Sequence, residues 1–162
     1  MALYHSQIFD PGSAELHFDA EKSILLCREQ DGGSNRWIKK IPGIDYISSV
    51  IEDRNRFYVS GESSDTTGFF LALDKQEGST LWSIPGKSFL SAMHDGSLYL
   101  IFPDAQNDFY LIKVETSTGR KEWHHPVGRD LREYAISGSR ITLDYGSGKR
   151  EILSPATGRP IG

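Results

Sequence analysis

A glycine followed four residues later by a tryptophan occurs three times in this chain of 162 residues, as Gly33 and Trp37, Gly78 and Trp82, and Gly119 and Trp123. A fourth copy has decayed: Gly158 is followed at the tryptophan position by Gly162. Successive glycines lie 45, 41 and 39 residues apart. A period near 40 residues, filled only with short strand-like runs, restricts the chain to a repeat architecture built of small β-sheets, as in a propeller. The exits agree, since Ile41-Pro-Gly43, Ile84-Pro-Gly86 and Pro126-Val-Gly128 each begin two to four residues after a tryptophan. Glycine permits the positive φ of a tight turn, and an indole on an outer strand can fill the wedge between neighbouring sheets.

Within each copy, four apolar or alternating runs are separated by turn residues. The first copy predicts strands over 3–9, 14–18, 23–28 and 35–41, and the second over 46–51, 57–60, 69–73 and 80–84. In the third they fall at 89–93, 98–102, 109–114 and 120–124, and in the fourth at 131–136, 140–145, 150–153 and, as a short last strand, 159–161. Nowhere longer than a turn do apolar residues recur at i, i+3, i+4 and i+7, so essentially no helix is expected. The fold class read from this pattern is all-β: a β-propeller of four four-stranded antiparallel blades, over 3–41, 46–84, 89–124 and 131–161, in one domain covering 1–162. A sandwich or barrel of sixteen short strands would alternate similarly, yet would not need the glycine and tryptophan in phase.

Charge and cysteine usage narrow the function classes. A net charge of −4 and a pI near 5.7 lack the basic surplus of a duplex nucleic-acid binder. The single cysteine, Cys27, cannot form an internal disulfide, which fits a reducing compartment without requiring one. Met1-Ala-Leu-Tyr-His shows neither a basic n-region nor an apolar h-region. The expected location is therefore cytoplasmic, or periplasmic or exported if a leader has been trimmed. Ala2 replaces the glycine that myristoylation requires. No apolar run approaches the roughly 18 residues of a membrane span.

The repeats resemble those of the pyrroloquinoline-quinone-like propeller family, whose docking motif runs Ala-x-Asp-x-x-Thr-Gly-x-x-x-Trp. Ala72, Asp74, Gly78 and Trp82 match it, with Glu77 in place of the threonine. The third copy keeps Glu115, Thr118, Gly119 and Trp123, the fourth Thr157 and Gly158, and the first Glu29, Gly33 and Trp37. The resemblance covers almost the whole chain. It implies a propeller fold, found in quinone-dependent dehydrogenases, in outer-membrane assembly lipoproteins and in scaffolds. Redox enzymes of the family hold the quinone in an eight-bladed ring with a calcium ion, commonly against a disulfide of adjacent cysteines; this chain has four blades and one cysteine, so no cofactor is expected. Fold does not carry function with it. Blades must also close on something: four blades form a small ring alone, two chains form an eight-bladed ring as a homodimer, or the chain is a fragment of a longer gene product.

Few side-chain clusters point to chemistry. His124 and His125 are adjacent on an expected strand and so point to opposite faces, which prevents both from binding one metal ion. Ser60-Gly-Glu-Ser-Ser64 reads as a loop rather than a nucleophile elbow. The run Asp104 to Asp108 lacks the glycine and glutamate of a calcium loop, Gly146-Ser-Gly148 is a hairpin without a following helix, and His94 sits in a His-Asp-Gly turn. No catalytic, cofactor or metal residue is assigned.

One collective feature remains. In a propeller, the loops from second to third strand and those leaving the outermost strand emerge on one face. Here they are residues 19–22, 42–45, 61–68, 85–88, 103–108, 126–130 and 144–149. They hold nine acids (Asp19, Glu21, Asp45, Glu62, Asp65, Asp104, Asp108, Asp130, Asp144) and four bases (Lys22, Lys87, Arg129, Lys149). Asp45, Glu62, Asp65, Asp104, Asp108 and Asp130 are the partner-binding candidates, for a basic or amide-rich protein. Turn chemistry alone also favours Asp in such loops. The expected role is a non-catalytic binding or scaffold module. The alternatives are a subunit or fragment of a quinoprotein-like enzyme, and a carbohydrate- or surface-binding module, for which Tyr145 is the one aromatic near these loops.

Overall fold

Alternation of apolar and polar residues, broken every few positions by glycine or aspartate, yields fifteen strands and no helix among the residues that the computed structural model describes, 6–30, 32–63, 67–103, 106 and 108–161. Blade one is β1 (Ser6–Phe9), β2 (Glu15–Asp19), β3 (Ile24–Arg28) and β4 (Asn35–Lys40). Blade two is β5 (Tyr46–Glu52), β6 (Arg56–Glu62), β7 (Gly68–Asp74) and β8 (Thr80–Pro85); blade three is β9 (Phe89–His94), β10 (Ser97–Pro103), β11 (Phe109–Val114) and β12 (Lys121–Val127). Blade four has β13 (Leu131–Ser137), β14 (Arg140–Tyr145) and β15 (Arg150–Leu153). Neighbours in sequence are neighbours in each antiparallel sheet. The last strand expected at 159–161 is reduced to a bridge between Leu153 and Pro160, followed by a bond from the Ile161 N–H to the Ile152 carbonyl at 2.9 Å. Pro160 has no N–H to extend that ladder.

Two compact units divide the chain, residues 1–88 with blades one and two and residues 89–162 with blades three and four. In the first, Leu16, Phe18, Leu25, Cys27 and Trp37 of blade one share a core with Ile47, Phe57, Val59, Leu71 and Leu73 of blade two. The odd residues of β6 enter that core, whereas Tyr58 joins Phe70 and Trp82 in an aromatic group with centroids 6.0 to 6.1 Å apart. In the second unit, Tyr99, Ile101 and Leu111 of blade three pack with Ile141, Leu143, Tyr145 and Leu153 of blade four.

The glycine and tryptophan of the repeat serve different blades. The Trp37 indole N–H donates to the Lys75 carbonyl of blade two at 2.8 Å, and its ring lies so close to Gly78 that a Cβ there would sit 2.4 Å from Cδ2. Trp123 repeats this on blade four, donating to the Pro155 carbonyl at 2.8 Å with its ring against Gly158. Trp37 and Trp123 thus each dock on the turn of the copy that follows within their own unit. Those turns are built alike: Gly78, Gly119 and Gly158 take φ of 77°, 77° and 71° and donate to the carbonyls of Asp74, Glu115 and Ser154. The first turn departs, since its left-handed residue is Gly32, with φ of 74°, rather than Gly33. No blade within the first unit docks an indole on it.

Two polar devices tie blades one and two. The Gln7 side-chain amide mimics a strand, donating to the Ile47 carbonyl and accepting from the Ile47 N–H, both at 2.9 Å. Near the opposite end of β5, buried Lys75 pairs with Glu52 at 2.8 Å beneath the Phe57 ring, and the Ser13 N–H and hydroxyl donate to the other Glu52 oxygen. Burial pushes the Glu52 carboxyl up, but the bonds from Lys75 and Ser13 outweigh it and hold it below its usual 4.5. A depressed folded-state pKa contributes stability that is present above the unfolded value and lost as pH falls through the folded one. Urea midpoints are therefore expected to fall as pH drops below about 4.5, and Lys75→Met should flatten part of that slope; an unchanged slope would remove this pair from the pH dependence.

On their remaining faces blades one and four differ. Ile8, His17, Leu26 and Ile38 form one cross-strand row of blade one, with Ile8 65% and Ile38 64% exposed. Glu133, Asp144 and Arg150 form the corresponding kind of row on blade four.

Candidate functional site

The candidate acids fall in both units, and several have internal duties. In the first unit the Asp19 carboxylate accepts from the Lys22 N–H at 3.2 Å and closes its turn. Glu62 pairs with Lys87 at 2.7 Å, tying the end of β6 to the loop after β8. Asp45 is exposed, and its N–H donates to the Glu62 carbonyl at 2.8 Å. Asp65, like Asp104 in the second unit, lies outside the described residues. Ser60 to Glu62 belong to β6 and not to a loop; Gly61 is there because a Cβ would stand 2.5 Å from the Ile44 side chain. Beside these loops two aromatic side chains stay open that the sequence did not single out, Tyr46 (54%) and Phe69 (38%).

In the second unit Asp108 is exposed and Asp144 pairs with Arg150 at 2.7 Å. Asp130 laces two loops together: its Oδ2 accepts from the Ser147 N–H at 3.1 Å and its carbonyl from the Gly146 N–H at 2.7 Å. Between these loops opens a cavity of about 320 Å³ lined by His125, Pro126, Val127, Gly128, Asp130, Tyr145, Lys149 and Glu151. Loops 126–130 and 144–149 belong to the set read from the sequence. The missed members are His125 and Glu151, on β12 and β15.

Strand parity decides what reaches the cavity. Along β12 the side chains of Trp123, His125 and Val127 turn inward while His124 stays exposed and meets the Tyr110 ring edge-on at 5.3 Å. Likewise Ile141, Leu143 and Tyr145 share the inner face of β14, so Tyr145 is only 5% exposed. The exposed aromatic expected there is thus a buried wall of the cavity. Its hydroxyl donates to Glu151 Oε1 at 2.5 Å. Burial first, then the Glu151 carboxylate, raises the Tyr145 pKa and keeps it a neutral phenol. The other Glu151 oxygen approaches His125 Nε2 at 3.4 Å, but that buried nitrogen makes no hydrogen bond of good geometry. Lys149 places its ammonium over the Tyr145 ring, 5.5 Å from the centroid. The arrangement offers two carboxylates, an aromatic face and a histidine around a space open to solvent, which suits recognition of a cationic group.

No group of three or more His, Cys, Asp or Glu among the described residues could hold a metal ion. The thiol of Cys27 is buried in the first unit's core. No helix among the described residues is long and apolar enough to cross a membrane.

Neither a protein-family model nor a curated protein matches the chain. Solved structures do. The quinohemoprotein alcohol dehydrogenase of Comamonas testosteroni matches with a TM-score of 0.68 at 10% identity, over 93% of this chain and 33% of that one. A europium-containing methanol dehydrogenase matches with a TM-score of 0.61 at 10% identity, over 92% and 39%. BamB from Moraxella catarrhalis matches with a TM-score of 0.40 at 13% identity, over 96% and 74%, a likeness too loose to build on. This chain therefore spans well under half the length of either dehydrogenase. At such identities the likeness shows the fold alone, and that fold is an all-β array of propeller blades.

Proposed function

We propose that this chain is a non-catalytic propeller module that binds a basic or amide-rich protein segment through the loops joining second to third strands and the loops leaving each outer strand. The observation that carries the reading is the open cavity between loops 126–130 and 144–149, where Asp130 and Glu151 surround an aromatic wall. Exposed Asp45 and Tyr46 in the first unit add the same pairing of carboxylate and aromatic, a composition suited to protein contacts.

The test is a calorimetric titration with an arginine- and glycine-rich peptide at low and moderate salt. Binding should weaken with salt, and Asp45→Lys with Asp108→Lys should weaken it about tenfold at low salt. Equal binding of a glutamate-rich peptide, or indifference to both substitutions, would reject it. Tyr46 and Phe69 favour a second reading, stacking against a sugar ring; a neutral oligosaccharide titrated in the same way separates the two.

A further inference from the structure

Resting on that partner-binding reading, we propose that the cavity of the second unit is a subsite for one guanidinium, the side chain of an arginine carried by the partner. Its volume of about 320 Å³ lies at the small end of ligand pockets, roughly 300 to 1,000 Å³, and suits a single side chain. The Tyr145 ring forms a wall, and the bond from its hydroxyl to Glu151 Oε1 fixes that carboxylate. Glu151 Oε2 then makes only the 3.4 Å approach to His125, so it remains an acceptor for an incoming donor. Asp130 spends Oδ2 on the Ser147 N–H, and its Oδ1 stands beside Gly128, where a Cβ would come within 2.8 Å of it. Gly128 is thus what leaves room for that oxygen.

The chain supplies its own evidence that a cation is welcome here. Lys149, from the rim, holds its ammonium over the Tyr145 ring. An anion would meet two carboxylates against this one lysine, whereas a cation displaces the lysine and meets both. A guanidinium fits better than an ammonium, because it is planar, lies flat on an aromatic ring and donates to two separated carboxylates at once.

The experiment titrates N-acetyl-arginine amide into the isotopically labelled chain and follows the amide resonances of Gly128, Asp130, Tyr145 and Lys149. Saturable shifts are expected with this probe, weaker ones with the lysine analogue, and none with the citrulline analogue, its uncharged isostere. Glu151→Gln keeps a carbonyl oxygen for the Tyr145 hydroxyl and should weaken binding about tenfold. Lys149→Ala, which removes the resident cation, should tighten it about threefold. Equal shifts with the citrulline analogue, saturation with N-acetyl-glutamate amide instead, or no shifts in either the native chain or Lys149→Ala would overturn the proposal. If the arginine-rich peptide then still perturbs residues 42–46, the partner-binding reading survives and only the subsite is lost; if it perturbs nothing, both are lost.

Discussion

Trp37→Ala is expected to lower the unfolding free energy by about 3–5 kcal/mol, the usual cost of emptying a buried tryptophan site. The indole is 8% exposed, touches both blades of the first unit, and carries a hydrogen bond to the Lys75 carbonyl that no alanine can replace. Its removal leaves a void at the blade interface and an acceptor without its donor. Trp123 makes the same bond in the second unit but is only half-buried. Trp123→Ala should therefore cost less. Urea unfolding of both variants, followed by far-UV circular dichroism, checks the ranking; equal losses would mean that burial is not what makes the indole count.

Gly78→Ala is the second large effect, and it has two separable causes. At φ of 77° any side chain is strained, by about 1–2 kcal/mol. Beyond that, the new Cβ would lie 2.4 Å from the Trp37 ring, itself buried and tied to the Lys75 carbonyl through its indole N–H; overpacking of this kind costs about 1–3 kcal/mol more. Gly138→Ala is the control, because Gly138 also has positive φ but nothing within 4 Å of a Cβ. The decisive comparison is Gly78→Ala made in the Trp37→Ala background. There the clash is gone, and the cost should shrink to the level of Gly138→Ala. If it does not shrink, the tryptophan does not dictate the glycine.

That coupling marks where the sequence stops being informative. Period, strand positions and the inward face of each tryptophan follow from spacing and alternation, both local properties. Which glycine an indole covers is tertiary: Gly33 and Trp37 are in phase, yet Trp37 covers Gly78 of the next copy, and the first copy's own turn is free to place its left-handed residue at Gly32. Ends of strands were less legible for the same reason. β6 runs on to Glu62 and β12 to Val127, because cross-strand partners Tyr46 and Phe109 hold them there, against the local signal of Gly61 and Pro126.

The site divides similarly. Asp130, Lys149 and the two loops that hold them were readable as an acidic, turn-rich set. Parity would also have identified Tyr145 as buried, since it continues Ile141 and Leu143, and His125 as the inward member of its pair, since it continues Trp123. Parity puts Glu151 on the face of Leu153, but a carboxylate two residues from a buried leucine does not by itself mark a site. Glu151 becomes part of the site only when β15 of blade four is brought against β12 of blade three. The carboxylates of Glu62, Asp19 and Asp144 show the opposite outcome: composition marked them as available, but ion pairs and turn bonds occupy them. Acidic excess in loops is therefore a weaker guide to binding than the shape that two adjoining loops enclose.

Amide hydrogen exchange with and without the arginine- and glycine-rich peptide tests the central claim most directly, because it reports which loops a partner covers. Protection is predicted at residues 42–46, 85–88, 126–130 and 144–149, with loops 53–55, 75–79, 115–120 and 154–158 unchanged. Protection of that second set, with the first unaffected, would contradict the account.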